Sequence, residues 1–175
     1  MNTTFFYGVI LSVSNIVLTL VAFFLGFQTD KIAEGRWFNW LALVVGIAVT
    51  WLGVKAVRED SADKSLSYGK GVGAGFLINL YSGVIGSIYT FIHFKFINPD
   101  YTDYMIDFAR QKAVGASDAR LAAMEKGMRF MLSPAMMSIL ALIMTLIFGI
   151  LIALVVSAFL KREPKAPVAD AQPAG

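Results

Sequence analysis

Residues 134–160 read PAMMSILALIMTLIFGILIALVVSAFL, without one Asp, Glu, Lys or Arg. A helix crosses a hydrocarbon core of roughly 30 Å in about 20 residues, so this stretch is long enough to span. Three further charge-free runs precede it: Phe5–Phe27, Trp37–Val54 and Val72–Phe94. In lipid the backbone polar groups must be satisfied internally, and for runs of this length only helices do that. The chain is therefore expected to be an all-α integral membrane protein. Of its 175 residues 57% are hydrophobic, above the usual share of about 45–50%, and four spans with their loops use nearly all of it. The expected architecture is a four-transmembrane-helix bundle over residues 1–162, with spans at about 5–27, 37–57, 72–97 and 134–160.

Local signals set the boundaries. Gly26 suits a helix end, and the first run lacks the basic start and short apolar stretch of a secretory signal, so it is expected to be a retained span. Trp37 and Trp40 open the second span as indoles at a membrane–water boundary. Ser65 or Ser67 is placed to cap the third, which should start near Tyr68. Asn98-Pro99-Asp100 is a turn signal. Beyond it Tyr101, Tyr104, Met105, Phe108 and Ala109 recur at helical spacing, with Asp103, Asp107 and Arg110 off the stripe. This is one amphipathic helix at about 100–114. Gly115 ends it, and Ser117 caps a second at about 117–132, with Leu121, Met124, Met128 and Met131 on one face. An amphipathic helical pair thus separates spans three and four. Ser133-Pro134 supplies an N-cap and a proline at the first helical position. The Pro- and Ala-rich stretch 163–175 is expected to be disordered.

The net charge of +3 is spread through mixed-sign segments, with no basic stripe of the kind nucleic acid requires. No cysteine is present, which excludes disulfides and thiolate chemistry. Positive charge does not decide orientation. Lys and Arg number 4 in Lys55–Lys70 and 3 at the C-terminus, against 2 in the first link and 6 in Lys95–Arg129. Discounting the amphipathic pair as folded leaves both termini on the cytoplasmic side; an even span count puts them on one side in either case.

Each span carries small or weakly polar residues at helical spacing: Gly8, Ser12, Asn15 and Thr19; Ala42, Gly46, Thr50 and Gly53; Gly71, Gly75, Asn79, Ser82, Gly86, Thr90 and His93; Ser138, Ala141, Thr145, Gly149, Ala153 and Ser157. Small residues let helices approach closely in lipid, and Ser, Thr and Asn bond across them. The expected result is a closed bundle. In the sharper reading the stripes line a polar path, with Asn15, Asn79, Ser82 and Thr90 inside it. Lys55 and Lys95 stand at span ends, and no Asp, Glu, Lys or Arg lies within the charge-free runs to mark a coupled ion pathway.

Other candidates reduce to structure. His93 is the single histidine and lacks a second for bis-histidine haem ligation, so a hydrogen-bonded histidine is expected. Met124, Met128 and Met131 read as packing. Gly69–Gly75 does not match a phosphate-loop spacing; it reads as close helix packing, with Lys70 available to an anion or lipid headgroup at the helix start. Asp100, Asp103 and Asp107 share a helix face that could hold a cation, but Arg110 is placed to pair with Asp107 and a solvated face is expected. No catalytic, cofactor or metal set emerges.

The order Ser67-Tyr68-Gly69-Lys70, Asn98-Pro99, Gly115-Ala116-Ser117, Ser133-Pro134, Phe148-Gly149 and Lys161-Arg162 resembles a family of small bacterial four-span proteins, domain of unknown function 4199. The resemblance covers about residues 5–162. It implies a multi-pass protein of a bacterial inner membrane and carries over no catalytic residue. The expected function is non-enzymatic: an accessory subunit or scaffold binding membrane lipid, a membrane-protein partner or a second copy, with Pro99–Ser133 as the contact and Lys70, Asp103 and Asp107 at the interface. The alternatives are a small transporter or channel through the weakly polar stripes, and a lipid-modifying enzyme using Asp103 or Asp107.

Overall fold

A computed structural model describes residues 2–163; the tail expected to be disordered lies, from residue 164 onward, outside them. Six helices follow in order: α1 (Thr3–Phe24), α2 (Asn39–Glu59), α3 (Tyr68–Ile92), α4 (Tyr101–Lys112), α5 (Asp118–Met131) and α6 (Pro134–Leu160). α1, α2, α3 and α6 are long and apolar enough to cross a membrane, α2 together with a 3-10 turn over Glu34–Phe38 and α3 with a π turn over His93–Ile97. The all-α, four-span architecture is as the sequence predicts.

The helix ends follow side-chain chemistry. Asn2 starts α1 earlier than expected, because its Oδ1 accepts from the Thr4 N–H at 3.1 Å. α1 stops at Phe24, and Gly26 turns the chain with φ +81, a conformation that costs glycine little. Ser67 caps α3 by accepting from the Lys70 N–H at 3.4 Å; Ser65 is instead tied to Asp63. Ser117 and Ser133 stand at N-cap positions, yet neither side chain makes the capping bond. The Ser133 hydroxyl donates back to the Phe130 carbonyl at 2.8 Å instead.

α3 and α6 form the spine, zipped antiparallel by small residues. A Cβ built on Gly71 would lie 3.0 Å from Ser157 Cβ, one on Gly75 would lie 2.6 Å from Ala153 Cβ, and one on Gly149 would lie 2.4 Å from Asn79 Cβ. Farther along, Gly83 faces Thr145, and Ser138 Oγ donates to the Ser87 carbonyl at 2.7 Å. α1 joins the other side of α3, with Gly8 against Tyr81 Cβ and the Ile78 carbonyl.

α2 completes the bundle at one end only. Its buried residues are Gly46, Val49, Thr50, Gly53 and Val54, whereas Trp40, Leu41, Ala42 and Val44 are exposed. Leu11, Val54 and Ile78 therefore meet in a sealed core, while the start of α2 leaves space beside α1 and α6. The closed bundle expected from the stripes is closed in one half. That closed end carries Thr3, whose hydroxyl donates to Asp60 at 2.6 Å, and the Leu66–Arg162 backbone pair. At the other end α4 lies over the α1–α2 link, with Ile106 buried and Tyr101 packed on Phe94 at 4.6 Å between ring centres.

Candidate functional site

The space left by α2 forms two adjoining chambers that share Asn15, Ala42 and Thr145. One, of about 330 Å³, is polar, with Ser12, Asn15 and Thr19 of α1 facing Ser82, Tyr89 and Thr90 of α3. The other, of about 480 Å³, is an apolar cleft between α2 and α6. Leu43, Gly46, Met144, Phe148 and Ile152 form its walls, and Leu11 and Asn79 lie deepest. Trp40, Met144 and Phe148 at its mouth are at least half exposed, so the cleft opens sideways toward the lipid-facing surface. Volumes of this size are typical of small-molecule sites.

Most polar groups here have partners. His93, fully buried at the start of the π turn, contacts Gln28 Oε1 at 2.8 Å through Nε2 and the Tyr89 hydroxyl at 3.1 Å through Nδ1. Because Gln28 Oε1 only accepts, Nε2 carries a proton and donates to it, while the Tyr89 hydroxyl, able to donate or accept, meets Nδ1. Gln28 Nε2 donates to the Thr19 carbonyl at 3.3 Å, and Asn98 Nδ2 to the Gln28 carbonyl at 3.2 Å. The π turn is closed by the Asn98 N–H on the His93 carbonyl at 2.8 Å. The hydroxyls of Thr19 and Thr90 fold back onto carbonyls of their own helices, both at 2.9 Å.

Two fully buried side-chain atoms here have no hydrogen-bond partner, Ser12 Oγ and Asn15 Oδ1, and Ser157 Oγ in the closed half is in the same state. Ser12 is 1% exposed, and a buried polar group left unpaired costs about 1–3 kcal/mol. One helical turn apart on α1, the two residues line the polar chamber, with these atoms themselves turned out of reach behind its wall.

The residues proposed from sequence divide accordingly. Asn15, Ser82 and Thr90 line the polar chamber. Asn79 reaches the apolar cleft but is clamped, Nδ2 donating to Thr50 Oγ1 at 3.2 Å and to the Gly75 carbonyl at 2.9 Å. Lys70, Asp103 and Asp107 lie elsewhere. Lys70 is exposed at the start of α3, at the closed end. Asp103 pairs with Arg129 at 2.9 Å, and Asp107 stands 3.9 Å from Arg110. Glu125, not singled out from sequence, bonds both Arg129 and Arg110, and these bonds hold its carboxyl below the usual range. Among the described residues no three His, Asp or Glu side chains gather as a metal site requires. Gln28 and Tyr89 were also missed; the spacing of Tyr89 and His93, one turn apart, was the only sequence signal for them.

No charged side chain lines either chamber, so the arrangement offers hydrogen bonds and apolar contact. Fold and cavity together define a multi-pass helical membrane protein with a laterally open internal cavity. The chain belongs to the family described as Protein of unknown function (DUF4199), whose model matches residues 6–162. Comparison with curated proteins and with solved structures finds no match.

Proposed function

We propose that the protein is a non-enzymatic lipid-binding protein of a bacterial inner membrane, acting as an accessory component that draws its ligand sideways from the bilayer. One observation carries this: an apolar cleft open between α2 and α6 leads to a polar chamber lined by Ser12, Asn15 and Ser82. Apolar walls with a few convergent polar groups are the common composition of ligand sites. Transport is less well supported, because Leu11, Val54 and Ile78 seal the bundle below the chambers. Catalysis at Asp103 or Asp107 has less support still, since Asp103 is engaged by Arg129 and neither residue borders the cavity.

Photocrosslinking in native membranes tests the reading. Lipids carrying a diazirine in the acyl chain should label Trp40, Leu43, Met144 and Phe148 in preference to other lipid-facing residues. Gly46→Leu, which fills the cleft, should remove that excess. Even labelling over all four spans would overturn lipid binding at this site.

A further inference from the structure

A separate pocket, at the end of the bundle that α4 covers, carries charge where the two chambers carry none. It encloses about 450 Å³ between the α1–α2 link and α4. It adjoins the polar chamber at Ala22, Gln28 and Phe38 but shares no residue with the cleft between α2 and α6. We infer that this pocket binds the phosphate of an anionic phospholipid headgroup, held between Arg36 of the link and Lys112 of α4.

Arg36 and Lys112 both line the pocket and both are exposed, so a ligand can reach them. Among the described residues neither makes an ion pair, and no Asp or Glu lines the pocket. Arg110 and Arg129 differ: they are engaged by Asp103, Asp107 and Glu125 within the hairpin. Tyr101, Met105, Phe108 and Lys112 recur at i, i+4, i+7 and i+11, one face of α4, and all four border the pocket. The Lys112 ammonium lies 4.2 Å from the centre of the Phe108 ring, a contact that places it at the wall and leaves its charge intact. On the link side, a Cβ built on Gly35 would overlap the Phe27 side chain, and Phe27 packs on Phe38 at 5.7 Å between ring centres. That close packing fixes the backbone beside Arg36. A guanidinium fork and an ammonium point charge are both established binders of phosphate.

Depth and wall chemistry favour a lipid as the source of that phosphate. Trp37, next to Arg36, is 57% exposed at the start of the second span. Indoles there mark the membrane–water boundary, so the pocket lies at headgroup depth. Phe27, Phe38, Met105 and Phe108 supply apolar wall, which a free phosphate leaves unused and the glycerol and first chain carbons of a lipid cover. Two cations without a carboxylate offer a partner to phosphate and none to a headgroup ammonium. A net-negative head therefore fits better than a zwitterionic one.

The test titrates the full-length protein in detergent with phosphatidylglycerol and with phosphatidylethanolamine of the same acyl chains, and counts bound lipid by native mass spectrometry. The wild type should prefer phosphatidylglycerol by about tenfold, the order expected of two cations at a membrane surface after a discount for their exposure. Added salt should shrink the preference. Arg36→Gln combined with Lys112→Gln should remove it. Arg120→Gln combined with Lys126→Gln takes the same charge from α5 and should leave it unchanged. All four side chains are exposed, so both variants should keep the wild-type unfolding midpoint; the single substitutions carry the comparison if a double variant does not fold. Gly46→Leu should also keep the preference, which tests this pocket separately from lipid binding in the cleft. Equal loss in the α5 variant would reduce the effect to general charge and overturn the site. Loss in Gly46→Leu would move the anionic lipid to the cleft and overturn it as well. Displacement of the lipid by millimolar inorganic phosphate would assign the two cations to a soluble phosphate and overturn the lipid headgroup.

Discussion

The two halves of the bundle use the same residue types to opposite ends. In the closed half Asn79 makes two hydrogen bonds and lies flat on Gly149, and Gly53 and Gly75 admit neighbouring side chains into van der Waals contact. In the open half Asn15 has an unbonded oxygen, and at the cleft's edge a Cβ on the buried Gly46 would meet only Ile152 Cδ1, at 3.8 Å. Residue type therefore does not separate packing from site in these spans. What separates them is the helix opposite, and α2 supplies one only from Gly46 onward.

Glycine substitutions press hardest on this contrast. Gly149→Val should destabilise by about 1–3 kcal/mol, because even its Cβ would stand 2.4 Å from Asn79 Cβ. Gly75→Val should do likewise against Ala153. Thermal unfolding in detergent measures both; a neutral result at either site would mean the zip between α3 and α6 is loose. The two asparagines come next. Asn79→Leu removes a buried bond to Thr50, worth about 0.6 kcal/mol on average and up to about 1.7 in membrane helices. Asn15→Leu removes only an orphan and should be neutral or stabilising in lipid-free detergent. Equal losses at the two positions would erase the distinction between the halves.

Much of the fold was legible because lipid leaves few choices: charge-free length gave the spans, and Asn98-Pro99, Gly115 and Ser133-Pro134 gave the breaks of the hairpin. Small residues at 71, 75, 149, 153 and 157 also announced close packing, although Gly83 and Ser87 extend that face and were not noticed. The cavity was legible only in part: Asn15, Ser82 and Thr90, offered as members of a polar path, line its polar chamber, but its shape was not in view. Its polar wall draws Gln28 from a link and Tyr89 from a helix, and their meeting with His93 depends on the π turn and on where α1 ends. Ser12 and Asn15 were visible as stripe members, but an orphan is defined by what fails to face it, which spacing along one helix cannot report.

A smaller effect sharpens the open half. Gly46→Leu gains up to about 1 kcal/mol of helix propensity, and its Cβ meets only Ile152 Cδ1, at an ordinary contact distance of 3.8 Å, with the cleft beyond, so the unliganded protein should keep or slightly raise its unfolding midpoint. A loss like that of Gly149→Val would show that the cleft collapses when the protein is free of its surroundings.

The smallest effect belongs outside the bundle, in the hairpin of α4 and α5, where α5 buries no residue among those described. Arg110, Glu125, Arg129 and Asp103 link the two helices. These exposed pairs contribute little to global stability and are screened by salt, so any effect should be local. Hydrogen bonds from Arg129, then Arg110, lower the Glu125 pKa in the folded hairpin. A carboxyl with a depressed folded pKa favours folding above its unfolded value, and that contribution is lost as pH falls through the folded one. Hydrogen exchange, corrected for intrinsic rate, should therefore show α5 losing protection as pH drops below the ordinary glutamate range, with the four spans unchanged. In Arg129→Gln the pH dependence of α5 should flatten. Spans that loosened together with α5 would mean the hairpin is coupled to the bundle; an α5 indifferent to pH would mean that Thr102, donating to the Leu132 carbonyl at 3.2 Å, and the short connection to α6 hold it instead.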